Sequence, residues 1–170
     1  MHSIAVSMVL EPAATLWRMT ASKSMMPTPF ESARLILDLY ELRREETLRK
    51  ARDFFFGFSP ATADEFMTAM FGPHGAYIRQ VISYWDMAGT LVENGAIDAK
   101  MFYDANGEFI SVFAKIEAIL PGIRAAFGNP EFAIHLERLA LGMPDARVKL
   151  DNMKVRLEAY AARRAAAQQQ

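Results

Sequence analysis

The sequence predicts an all-α, single-domain bundle of about six or seven helices with no sheet. Three observations carry that expectation. Apolar residues recur at helical spacing in one segment after another, the segments open on capping residues and close on glycine or proline, and no stretch alternates polar and apolar residues as a half-buried strand does.

Composition permits such a core. Of 170 residues, 52% are hydrophobic and 23% charged, the balance of a globular chain rather than a disordered one. A domain of this length buries roughly 70% of the surface that its unfolded chain exposes. Residues 1–26, with Ser3, Ser7, Ser22 and Ser24 scattered among methionines and no sustained period, read as a flexible N-terminal extension. Met19, Met25 and Met26 each offer a later translation start, which would make that extension a misassigned one. The bundle occupies residues 27–168.

Its first element opens on a capping box, with Thr28 as N-cap, Pro29 at the first helical position and Glu31 three residues after the threonine. One long helix to about Phe56 is expected. Leu35, Ile36, Leu39, Tyr40 and Leu42 share one side, while Arg34, Asp38, Glu41, Glu45, Arg49 and Arg52 lie opposite. Arg34 with Asp38 and Glu45 with Arg49 are spaced as i,i+4 ion pairs. A second box, Thr62 to Glu65, starts a short helix that Gly72-Pro73 stops.

The segment from Tyr77 to Asn94 puts Tyr77, Ile78, Val81, Tyr84, Trp85, Ala88, Gly89, Leu91 and Val92 on one half of a helical wheel. Arg79, Gln80, Ser83, Asp86, Thr90 and Glu93 take the other, wetter half. The indole N–H and the phenol O–H groups should find local partners. Asp98 caps the next helix through Phe102 and Tyr103, and Asn106-Gly107 closes it. A helix through Ile110, Phe113 and Leu120 should kink or break at Pro121-Gly122, and Asn129-Pro130 should cap "EFAIHLERLAL". From about residue 144 the final long helix spaces Ala146, Leu150, Met153, Leu157 and Tyr160 by alternating fours and threes, a coiled-coil-like seam of about two heptads.

The same residues bound the chemistry. A net charge of −1 supplies no overall field for polyanions, and the cations of the last helix lack interleaved aromatics, so no nucleic-acid partner is expected. The chain has no cysteine, which excludes disulfides and thiolate chemistry and fits a reducing compartment. No run is long and apolar enough to cross a bilayer, and His2 is the only cation before the apolar run Ile4 to Leu10, so neither membrane insertion nor a secretory signal is expected and a cytoplasmic location follows. No His-x-x-x-His, phosphate loop, nucleophile elbow or dinucleotide fingerprint occurs, so no catalytic residue, metal or cofactor is assigned. Glu131 and His135 are four apart, a spacing that suits a surface pair on a helix better than a metal site.

The stretch Tyr77 to Glu108, "YIRQVISYWDMAGTLVENGAIDAKMFYDANGE", carries an aromatic helix running into V-x-x-G-x-I-D-x-x-x-F. It resembles small bacterial helical proteins grouped as a domain of unknown function. The resemblance implies the fold and a bacterial origin, and it transfers no functional residue.

The functional expectation is a helical protein–protein interaction module that self-associates through Leu150, Met153, Leu157 and Tyr160. The alternative is a carrier or sensor of a small apolar ligand, with Phe66, Tyr77, Tyr84 and Trp85 lining a pocket beside the Phe- and Met-rich joint of residues 54–71. An enzyme is the third reading.

Overall fold

A computed structural model describes residues 27–167, and the expectation for residues 1–26 lies outside them. Nine helices form among the described residues, and no strand: α1 Pro29–Leu42, α2 Glu46–Gly57, α3 Ala63–Phe71, α4 Gly75–Glu93, α5 Ala99–Ala105, α6 Glu108–Ile116, α7 Leu120–Phe127, α8 Ile134–Leu141 and α9 Ala146–Ala167. The fold class is the expected one. The count exceeds it because two expected helices are each divided.

The first division corrects the long helix ending near Phe56. The chain turns at Arg43-Arg44, and Glu45 becomes the N-cap of α2, its carboxylate accepting from the Leu48 N–H at 2.8 Å instead of pairing with Arg49. Arg43 and Arg52 point inward there. The second division falls at residues 117–119, just before Pro121, which then occupies the first turn of α7 where its missing N–H costs nothing. The sequence placed that break at the proline itself.

Local signals act where expected. The Thr28–Glu31 box is reciprocal, with Glu31 N donating to Thr28 Oγ1 at 3.2 Å and Thr28 N donating to Glu31 Oε2 at 2.8 Å. Thr62 accepts from Glu65 N, and Asp98 from Met101 N. Arg34 and Asp38 pair along α1 at 3.2 Å.

α4 is the central element, packed most extensively on α8 and then on α2. Its apolar half buries Ile78, Val81, Tyr84, Trp85 and Ala88. Its other half leaves Arg79, Ser83 and Glu93 exposed, but two of its acids are used in tertiary contacts. Asp86 Oδ1 accepts the Leu136 N–H at 2.9 Å and so caps α8 across the fold, while Glu93 accepts from His135 Nδ1 at 2.6 Å and Arg138 Nη1 at 2.7 Å. This also corrects the start of α8. Asn129 forms only a local turn with the Glu131 N–H, Ala133 takes a left-handed conformation at φ 55°, and the helix begins at Ile134. Glu131 is therefore outside the helix and does not pair with His135.

Gly89 is where α4 and α8 touch backbone to backbone. A methyl group there would sit 2.5 Å from the His135 carbonyl oxygen, inside van der Waals contact with an atom that the helix holds in place. Gly89→Ala should separate the two helices and lower stability by about 1–3 kcal/mol despite alanine's higher helix propensity. Thermal unfolding followed by circular dichroism will show a lower midpoint, and an unchanged or higher one would mean that the α4–α8 approach is not this close.

Candidate interaction surface

The four aromatic candidates for a ligand pocket lie in different settings. Phe66 is fully buried between Phe58 and Phe132, with ring centroids 6.2 and 6.3 Å away. Tyr77 is half-buried against Phe54 and the His74 ring at 6.1 and 5.8 Å. Tyr84 meets Trp85 edge to face at 4.9 Å, and Trp85 packs on Phe109 at 6.0 Å. The Tyr84 hydroxyl donates to the Leu39 carbonyl at 2.6 Å. The Trp85 indole N–H, by contrast, finds no hydrogen-bond partner among the described residues, which corrects the expectation of a local acceptor. Of the neighbouring Phe- and Met-rich joint, Phe55, Phe66 and Met70 are buried and Phe71 is exposed.

The C-terminal seam is mostly used within the chain. α9 packs on α6, Leu150 is fully buried, Met153 and Leu157 lie against the core, and Ser111 Oγ is 3.1 Å from Met153 Sδ. Tyr160 is left exposed. Cations on α9 hold it down as well, because Glu117 at the end of α6 forms an ion pair with Lys154 at 2.8 Å and accepts from Arg147. Burial works to raise the Glu117 carboxyl, but those two partners outweigh it and keep it below the usual carboxylate range.

α1 leaves four large apolar side chains exposed, Phe30, Leu37, Tyr40 and Leu42. On a wheel of about 100° per residue, Phe30, Ala33, Leu37 and Tyr40 fall within about 80° of arc, opposite Ser32, Leu35, Ile36 and Leu39. The second set faces inward: Leu39 and Ser32 are buried, and Ser32 Oγ accepts the Asp98 N–H at 3.0 Å, fixing α1 to the start of α5. The first set faces out, with Phe30, Leu37 and Tyr40 exposed by 79, 62 and 56%. Tyr40 and Leu42 thus leave the buried side on which the sequence placed them. Reading α1 as the first half of one long helix merged two apolar stripes, and the sevenfold step from Phe30 to Leu37 followed by a step of three was the signal that could have separated them.

A buried ionic knot fixes how α1 is presented. Glu108, at the first turn of α6, accepts from Arg52 Nε at 2.7 Å, from Arg52 Nη2, and from Arg43 Nη2 at 3.1 Å. Its hydrogen bonds raise the Arg52 guanidinium above its ordinary value. The Arg43 guanidinium also lies 5.3 Å from the Trp85 ring centre and 5.6 Å from that of Tyr40, and Nη1 reaches Asn106 Oδ1 at 3.4 Å.

Two other titratable groups are strongly perturbed. Lys115 is lowered to about 8 by burial and then by Arg164, and its amine donates to the carbonyls of Phe56 and Phe58 and to Ser59 Oγ, which closes the C-terminal end of α2. Tyr84 is pushed up to about 12, chiefly by burial. Among the described residues no group of three or more His, Asp or Glu side chains could hold a metal ion, and no helix is long and apolar enough to cross a membrane.

This arrangement of α1 to α8 corresponds to a recognised family. The chain belongs to the domain of unknown function DUF4760, which matches residues 29–143, so that α1 lies within the matched stretch and α9 beyond it. No curated protein and no solved structure matches the chain.

Tyr84 gives the site a pH signature. Its folded value of about 12 stands above the ordinary 10.0 of an unfolded chain, so its contribution is full below pH 10 and is lost as pH rises toward 12. Tyr84→Phe removes the bond to Leu39 and should cost about 1 kcal/mol at neutral pH. Urea unfolding of both proteins across that range should show the difference shrinking between pH 10 and 12, and a constant difference would place the phenol in water.

Proposed function

We propose that this chain is a helical protein–protein interaction module whose contact face is the outer side of α1. One observation carries the reading: an amphipathic helix normally buries one apolar stripe, and α1 has two, of which the second, Phe30, Leu37 and Tyr40, stands in solvent. Singly exposed apolar residues are ordinary on a protein surface, but these three are aligned on one helix. Together they offer on the order of 350 Å² of apolar area, the size at which a patch on a monomer is commonly a binding site.

Their setting suits recognition. An apolar stripe read at steps of seven and three is how a helix is gripped by a groove or by another helix. Arg34 and Glu41 border it with charges of both signs, and the ion pairs they make, Arg34 with Asp38 and Glu41 with Arg44 in the following turn, are exposed ones of little strength that can exchange partners. α1 belongs to the family-matched stretch, whereas the seam of α9 lies outside it and is largely covered by α6.

A photo-cross-linking amino acid at Leu37, compared with one at the equally exposed Val148 on α9, tests this in cells. A discrete adduct from position 37 and none from 148 is the expected result. No adduct at 37, or equal labelling at both, would overturn the assignment.

A further inference from the structure

The Lys115 amine stands at the edge of a cleft between the loop after α2, α6 and α9. Three uncharged acceptors surround it: the carbonyls of Phe56 and Phe58 at 3.0 and 2.7 Å, and Ser59 Oγ at 3.0 Å. The two carbonyls belong to the end of α2. Ser59 instead lines the cleft, an open space of about 220 Å³ walled also by Pro60, Ala114, Leu157 and Ala161. We propose that Lys115 is an imine-forming lysine and that this cleft takes small 2-oxo carboxylates.

The acceptors give the amine a direction. Once one proton leaves, two N–H groups serve the Phe56 and Phe58 carbonyls, and the lone pair takes the third position, toward Ser59 and the cleft. Among the described residues no carboxylate forms an ion pair with Lys115 and keeps it protonated. The charges that face it come from α9: Arg164 lies against Gly57 at the end of α2, and Lys154 and Glu158 line the cleft. A half-buried amine beside other cations is the setting in which lysine becomes a nucleophile. With Lys115 lowered to about 8, about half of it is free amine at pH 8, against roughly 0.4% of an ordinary lysine.

The same cations select the ligand. Lys154 is already shared with Glu117, but Arg164 has no ion pair among the described residues, so the carboxylate of a 2-oxo acid provides its counter-charge while the carbonyl meets Lys115. The lone pair adds to the keto carbon, forming the C–N bond as the carbonyl π electrons pass to oxygen. That oxygen takes up a proton, for which the Ser59 hydroxyl is the nearest relay, and leaves as water. Net, the ammonium and the ketone become a protonated imine and one water, with no oxidant or reductant consumed. The imine keeps one N–H for the Phe58 carbonyl.

Pyruvate with cyanoborohydride, which reduces an imine to a stable secondary amine, tests this on the full chain by peptide mass mapping. At pH 8 Lys115 should be alkylated at least about tenfold more than the exposed Lys50, a smaller ratio than that of the free amines because a less basic amine is the weaker nucleophile. Acetone has a similar size and no carboxylate. With it the ratio of Lys115 to Lys50 should fall about fivefold, the worth of a weak ion pair. Arg164→Gln should lower the pyruvate ratio likewise with an unchanged circular dichroism spectrum. Equal labelling of Lys115 and Lys50 by pyruvate would overturn the proposal. So would a ratio that neither acetone nor Arg164→Gln changes, because the cations of α9 would then not direct the ligand. Neither outcome bears on the α1 face, with which the cleft shares no residue.

Discussion

The carboxylate of Glu108 is the constraint on which the rest of this fold turns. It is nearly enclosed, and it takes hydrogen bonds from two arginines that stand on either side of the α1–α2 junction. Burying three charges is expensive, and one removed partner leaves the others uncompensated, so such a cluster contributes specificity of arrangement more than net stability. The arrangement it specifies here is a turn. A chain that had continued as one helix through residue 56 would have set Arg43 and Arg52, nine residues apart, on opposite sides of it; the turn at Arg43-Arg44 lets both reach the same carboxylate. Arg43 then covers the Trp85 ring, and the Tyr84 hydroxyl closes the Leu39 carbonyl near the end of α1, so that ionic, aromatic and capping contacts converge on one corner of the core.

That corner decides what the surface shows. α1 is held at its C-terminal end by the Glu108 knot and nearer its start by Ser32 on the Asp98 N–H, both on its inner side. Nothing among these contacts draws on Phe30 or Leu37. α9 is the opposite case: its apolar residues Leu150, Met153 and Leu157 lie on α6 and its cations converge on Glu117, so a helix whose heptad-like spacing suggests an external partner finds most of its partner within the chain.

What was legible in the sequence was local. The caps at Thr28, Thr62 and Asp98 need only neighbours three residues away, and the buried half of α4 follows from one helical period, so the all-helical class and most helix starts could be read directly. The parts that could not be read depend on residues far apart in the chain. Arg52 and Glu108 are separated by 56 positions, and Asp86 caps a helix that begins 48 residues later, so no window around Arg52 or Asp86 distinguishes a solvated charge from a tertiary one. The candidate face was hidden for the same reason. Arg43 meets Glu108 65 positions later, so nothing beside it announces the turn, and with α1 and α2 taken as a single helix Tyr40 joins the buried stripe and the spacing Phe30, Leu37, Tyr40 goes unread. The indole of Trp85 shows the limit in the other direction, since a general preference for a hydrogen-bonded N–H did not hold at a fully buried aromatic of the core.

Glu108 holds α1 in place and thereby sets its outward face. Amide hydrogen exchange in a Glu108→Gln variant tests it most directly, because glutamine keeps the shape and an acceptor while removing the charge that two arginines share. Protection should fall most in α1, from Ser32 to Leu42, with the amides of α8 changing little. A uniform loss across α1, α4 and α8, or no loss in α1, would contradict it.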